Sequence, residues 1–228
     1  MQIKVGELPG SIRFQVISAL FITGLITSNI IAVKLADFWG YVLPSAIIIF
    51  PVTYIIGDIL TEVYGYKAAR KVIWFGFICN LFAVVSIWIA GMLDPVDQDL
   101  GEAYHLVLGS TYRILLASFL AYLAGELLNA FVLAKLKSLT EGKWLWLRTI
   151  SSTIFGQGVD TIIFISLAFG GSVPAGILLN IVFLQWGAKV LYEALATPFT
   201  YLIVGNFKRA EGVDVYDDRL SIKHLFMK

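Results

Sequence analysis

Residues 72–91 read VIWFGFICNLFAVVSIWIAG, twenty residues without a formal charge, bounded by Arg70-Lys71 on one side and Asp94-Pro95 on the other. A helix of that length rises about 30 Å, which is the thickness of a bilayer's hydrocarbon core. The stretch is apolar on every helical face, so it reads as a membrane span rather than a helix with one wet side. Working outward, runs of the same kind fall at 13–33, 43–64, 112–134, 150–170 and 175–204 and, with 70–91, make six spans. The breaks between them have local causes: Gly40 and Pro44, the charged turn Gly65-Tyr66-Lys67, a polar stretch over 92–111, and Gly170-Gly171-Ser172-Val173-Pro174. The last run is the longest, so it must tilt, bend near Pro198 or continue past the bilayer.

Composition agrees. Apolar residues make up 58% of the 228, charged residues 14%, and the mean hydropathy is +0.82. A soluble domain carries about a quarter charged residues, so this chain has too little polar surface to cover one. A net charge of +1 gives no sign of a nucleic-acid partner. The single cysteine, Cys79, cannot form an intrachain disulfide. The first apolar run, Phe14 to Val33, exceeds a signal-peptide core and has no small-residue cleavage site after it. The expectation is an all-α integral membrane protein, with 1–205 as one transmembrane domain and 206–228 as a cytoplasmic tail or short helix.

The basic residues orient it. Of seventeen Lys and Arg, fourteen fall on one side: Lys4, Arg13, Lys67, Arg70, Lys71, Lys135, Lys137, Lys143, Arg148, Lys208, Arg209, Arg219, Lys223 and Lys228. Lys34 and Arg113 fall on the other, and Lys189 lies within the last span. The positive-inside rule then puts both termini in the cytoplasm.

An ionisable side chain deep in a bilayer is costly, so each one needs a partner or a cavity. Tyr54, Asp58 and Glu62 recur every four residues on one face of the second span. Ser118, Tyr122, Glu126 and Asn129 line the fourth, Thr153, Gln157, Asp160 and Thr161 the fifth, and Gln185, Lys189 and Glu193 the sixth. The first span offers Thr23, Thr27, Asn29 and Lys34, and the third Asn80. Structural readings stand beside functional ones. Asp58 and Glu62 can pair with Lys67 or Arg70 near the surface, and Lys189 can neutralise Glu193 one turn away. The asparagines can bond helix to helix. Glu126 and Asp160 have no cation on their own helix turn, which favours a binding role. Asn29 and Asn129, Asp58 and Asp160, and Asn80 and Asn180 occupy matching places in two three-span halves, a pattern compatible with inverted repeats.

Enzyme signatures are missing. There is no H-E-x-x-H or G-x-S-x-G, and His105 and His224 lie outside the spans. An intramembrane aspartyl dyad of Asp58 and Asp160 is the one hydrolase arrangement left open. No phosphate loop, cofactor motif or metal-ligand cluster is present in the sequence.

The run Gly57-Asp-Ile-Leu-Thr-Glu-Val-Tyr-Gly65, with Tyr66 and Arg70 after it, resembles the signature of the queuosine-precursor transporter family, a vitamin-uptake-transporter-like group. Further matching positions are Ser28-Asn29-Ile30 with Lys34, Arg113 with Ser118–Tyr122, Leu147-Arg148 with Ser151–Thr153, Gln157 with Asp160-Thr161 and Phe164, and Gln185 with Lys189 and Thr197-Pro198. The resemblance spans about 12–205. It implies uptake of the 7-deazaguanines preQ0 (7-cyano) or preQ1 (7-aminomethyl) across a bacterial inner membrane for tRNA modification, by secondary transport or facilitated diffusion. A binding subunit served by a separate energising module is the alternative, and a second copy of the chain is a candidate partner. A deazaguanine presents N1–H and an amino group on one edge, which a single carboxylate can accept together. On that chemistry Asp160 and Gln157 are candidates for the ring edge, and Glu126 or Glu62 for a second contact. Gln157, Asn129 or Lys189 is a candidate donor to the 6-oxo group, and Tyr54, Tyr122, Phe164 or Trp186 candidate ring neighbours. Asp58 completes the acidic set and, with Glu62, could carry a coupling proton; Gln185 and Asn29 complete the polar stripes.

Overall fold

The computed structural model describes residues 10–32, 34–38, 41–109, 112–171 and 174–217. Lys4, Arg219, Lys223, Lys228 and His224, and the Ser172-Val173 part of the expected turn, lie outside them. In chain order the elements are α1 (Ile12–Ile31), β1 (Leu35–Phe38), β2 (Tyr41–Pro44), a 3-10 turn (Ser45–Ile48), α2 (Phe50–Tyr64), α3 (Tyr66–Gly91), α4 (Gln98–Leu108), α5 (Tyr112–Leu139), α6 (Leu145–Phe169) and α7 (Ala175–Glu211).

Five helices among the described residues are long and apolar enough to cross a membrane: α1, α3, α5, α6 and α7. The expected second span differs. Its first two residues, Leu43 and Pro44, end an antiparallel hairpin in which Leu35 lies opposite Pro44 and Phe38 opposite Tyr41; Ser45–Ile48 is the 3-10 turn, and only Phe50–Tyr64 is α-helical. Pro44 and Pro51 explain this: proline lacks an N–H to donate, so Pro51 fits only the first turn of a helix. The polar 92–111 stretch also holds a helix. Asp97 caps α4 by accepting from the Leu100 N–H at 3.1 Å, and Tyr104 Oη donates to the Ile87 carbonyl at 2.8 Å, tying α4 to α3.

α2 sits against α1, α3, α5 and α7, while α6 packs chiefly on α5 and then α7. The buried apolar cluster is confined to one end of the bundle. It takes Phe14, Ile17 and Phe21 from α1, Ile59, Leu60 and Val63 from α2, and the first two turns of α3. Tyr64 of α2, Leu127, Ala130 and Ala134 of α5, Leu145 of α6 and Val204 of α7 complete it. That end carries the basic residues. The first half of α7, at the other end, is open: Ile177, Leu179, Phe183 and Leu184 are exposed within the protein, as suits lipid contact.

α7 runs 37 residues with Pro198 inside it, far longer than a bilayer requires. Beyond Gly212 the chain folds back beneath the bundle. The Val215 N–H donates to the Val63 carbonyl at 3.3 Å, and Asp217 Oδ2 accepts from the Tyr66 N–H at 2.7 Å. Gly65, at φ +83°, allows this approach: a Cβ there would lie 2.7 Å from Val215 Cγ1. Asp214 anchors the segment to Lys137 and, at 2.9 Å, to Lys208. Burial alone would push the Asp214 carboxyl up, but hydrogen bonds from the two lysines hold it below its ordinary value. A depressed carboxylate stabilises the fold above its ordinary pKa, and that stability is lost as pH falls through its lower folded value. Amide exchange at Val215 is therefore expected to stay slow from neutrality down through the ordinary carboxylate range and to accelerate only below it. Loss of protection already on mild acidification would contradict the assignment.

Candidate functional site

Tyr54, Asp58 and Glu62 descend one face of α2 about 6 Å apart, and each sits at a different level of polar side chains from α5, α6 and α7.

The innermost level is ionic. Glu62 Oε1 lies 3.1 Å from Arg148 Nη2 on α6, 2.7 Å from Lys208 Nζ on α7 and 3.7 Å from Lys137 Nζ on α5. Lys137 also donates to the Glu62 and Val215 carbonyls, at 2.6 and 2.7 Å. Glu62, Lys137 and Arg148 are each about 1% exposed. One expectation is corrected here. Glu62 pairs with Arg148, Lys208 and Lys137 rather than with Lys67 or Arg70. All three cations meet its Oε1, while its Oε2 is buried without a hydrogen-bond partner. Three of the fourteen basic residues that suggested a cytoplasmic face thus turn inward.

At the middle level, Asp58 Oδ1 accepts from Asn129 Nδ2 at 2.9 Å, and Glu126 Oε1 accepts from Gln157 Nε2 at 3.4 Å. These four residues and Glu193 are at most 5% exposed. Asp58 Oδ2, Asn129 Oδ1, Gln157 Oε1, Glu193 Oε1 and Thr161 Oγ1 are buried without a hydrogen-bond partner. Four of the five are oxygens that can only accept.

At the outermost level, Lys189 Nζ lies 2.5 Å from Asp160 Oδ2, and both side chains are 20% exposed. Lys189 also lies 5.8 Å from the centre of the Tyr54 ring, which stacks on Phe50. The expected Lys189–Glu193 pair is therefore replaced by one across helices, and Glu193 forms no ion pair among the described residues. Asp58 and Asp160 do not share a hydrogen bond, since Asn129 holds one and Lys189 the other. That leaves no aspartyl dyad.

Two glycines set these distances. A Cβ on Gly125 would come 2.6 Å from Asp160 Cβ, and one on Gly156 would come 2.6 Å from Asn129 Cβ and 2.8 Å from the Gly125 carbonyl oxygen. The backbones of α5 and α6 touch here, as small residues permit in membrane bundles, and this sets Glu126 and Asn129 beside Gln157 and Asp160. The polar stripes of the sequence did not include this glycine pair; the signal was that each precedes a polar site residue, Glu126 or Gln157.

The remaining candidates lie at the edges. Tyr122 Oη donates to the Ile73 carbonyl at 3.2 Å, and Ser118 Oγ donates to Asn29 Oδ1 at 3.4 Å, joining α1 to α5. Gln185 is half-buried on α7, and the Trp186 indole donates to the Ile154 carbonyl at 3.0 Å. Asn80 is buried on α3 whereas Asn180, its proposed counterpart, is exposed.

The structure is thus a multi-pass helical membrane protein with unsatisfied polar atoms buried between α2, α5, α6 and α7 and a partly exposed ion pair at one end of them. Residues 44–203 match the family model described as "Putative vitamin uptake transporter", and the chain belongs to that family. It is 27% identical over 178 residues to a "Probable queuosine precursor transporter" of Bacillus subtilis, covering 77% of this chain and 78% of that one. A protein of the same description from Haemophilus influenzae is 30% identical over 146 residues, covering 63% and 59% of the two chains. The "Queuosine precursor transporter" of Escherichia coli is 31% identical over 129 residues, covering 55% of each. The chain thus aligns with little more than half the length of the latter two. No solved structure matches. These relatives are transporters rather than enzymes, and a small-molecule substrate follows.

Proposed function

We propose that this protein imports queuosine precursors, the 7-deazaguanines preQ0 and preQ1, through the polar interior between α2, α5, α6 and α7. The observation that carries the reading is the set of buried, unpartnered acceptors at the middle level. A deazaguanine brings N1–H, N9–H and an exocyclic amino group. Burying a donor-rich ring there would satisfy atoms that otherwise bear a desolvation cost. The names of the relatives support the same class.

In this reading the chain crosses a bacterial inner membrane six times with both termini in the cytoplasm. The 3-10 turn and α2 together span about 30 Å and supply the second crossing. The halves α1–α3 and α5–α7 then enter from opposite sides, the relation inverted repeats require. Substrate enters past Lys189 and Asp160, while the Glu62 network and the folded-back 213–217 segment close the cytoplasmic end. Release needs that floor to open, by secondary transport or facilitated diffusion.

Asp160→Asn and Glu126→Gln test the assignment. Each is expected to lower precursor uptake by about tenfold or more, since each removes a carboxylate that orders the site. The measurement is uptake by the purified chain in liposomes. Wild-type rates and affinities in both variants would remove the pocket. A wild-type chain that binds precursor yet transports none would instead favour a binding subunit that needs an energising partner.

A further inference from the structure

The charges at the middle level do not balance. The ionisable groups facing it are Asp58 on α2, Glu126 on α5, Asp160 on α6, and Lys189 and Glu193 on α7. Asp160 and Lys189 neutralise each other. Glu62, the next carboxylate inward, is held by three cations. Asp58, Glu126 and Glu193 remain, and among the described residues none of the three forms an ion pair.

Glu126 is bonded to Gln157. Asp58 and Glu193 are each 1% exposed and each present a buried, unpartnered oxygen. Glu193 makes no side-chain hydrogen bond or ion pair among the described residues, because Lys189, one turn before it, is drawn to Asp160. The one donor on Asp58 is the Asn129 amide, whose own oxygen is also unpartnered. Two buried carboxylates with open acceptor positions call for a ligand that is positively charged and donates several hydrogen bonds. A primary ammonium is such a group, with three donors and no acceptor.

Resting on the transport reading above, we propose that Asp58 and Glu193 form an ammonium subsite that selects substrates carrying an aminomethyl group on the deazapurine. The ring lies toward Gln157 and Glu126, and the ammonium of the 7-aminomethyl compound sits between the two carboxylates. The 7-cyano compound brings an acceptor to oxygens that already lack donors, so the site disfavours it. Glu193 is then a specificity residue on a helix whose neighbouring half is open.

The test compares binding of 7-aminomethyl- and 7-cyano-7-deazaguanine by the purified chain in nanodiscs, for wild type, Glu193→Gln and Glu193→Asp. Wild type is expected to prefer the aminomethyl compound. Glu193→Gln should weaken that compound about tenfold or more without weakening the cyano compound, and Glu193→Asp should keep part of the preference. Retained cyano binding shows that the variant is folded. Equal weakening of both compounds would overturn the subsite, as would no weakening of either. A preference that tracks added sodium rather than the substrate's own charge would also overturn it, by making the occupant an inorganic cation. A wild-type chain that binds only the cyano compound would overturn the subsite and leave the transport reading standing. Binding of neither by wild type would overturn both.

Discussion

Glu62→Ala is expected to destabilise the protein by about 3–5 kcal/mol, the usual cost of removing one partner from a buried ion pair. The variant leaves Lys137 and Arg148, both about 1% exposed, and Lys208 converging with only Asp214 to answer them. Thermal unfolding of purified protein in detergent is the measurement. The control is the double variant Glu62→Met/Arg148→Met, which removes one charge of each sign and refills the space with apolar side chains. It should be less destabilised than the sum of its single variants, by 1 kcal/mol or more on the scale of coupled buried pairs. Additive effects, or a Glu62→Ala variant as stable as wild type, would show that the network does not hold the inner end together.

Gly156→Val is expected to reduce uptake by about a hundredfold. The new Cβ would meet the Asn129 Cβ, the Gly125 carbonyl and the Asn129 Cα within 2.9 Å, and two of those are backbone atoms that cannot rotate away. α5 and α6 must then separate, which pulls Asn129 and Glu126 from Gln157 and Asp160. A site held by such placement is sensitive to shifts of an ångström or less. Gly187→Ala is the matched control, because nothing lies within 4 Å of a Cβ there. Liposome uptake, checked against the yield of folded protein, distinguishes the two. Similar loss in both would remove the α5–α6 contact from the argument.

Hydropathy made the bundle legible because lipid imposes one rule on every residue of a span. The period of four placed Tyr54, Asp58 and Glu62 on one face, and the structure keeps them there at three levels. Pairing was less legible. Helical spacing reveals only partners on the same helix, so it offered Glu193 to Lys189 and hid Asp160, which packing brings from α6. The basic residues were counted as a surface layer, and the count could not show that Lys137 and Arg148 turn inward, because that depends on where Glu62 ends. The second span read as continuous because hydropathy does not register that Pro44 and Pro51 interrupt the helix. α4 was hidden for a different reason. A short polar segment gives no lipid signal, and its cap at Asp97 became evident only with the geometry.

The partners of Glu62 lie far along the chain: Arg148 is 86 residues later and Lys208 is 146. Ribosomal synthesis delivers the carboxylate first and its counter-charges long afterwards. The second helix, only 15 residues long and carrying Asp58 as well, is therefore made before its neutralising neighbours exist. The inner end closes only once the final helix and the residues after it have emerged. Closure of that end therefore waits on residues 213–217, which are made only after α7.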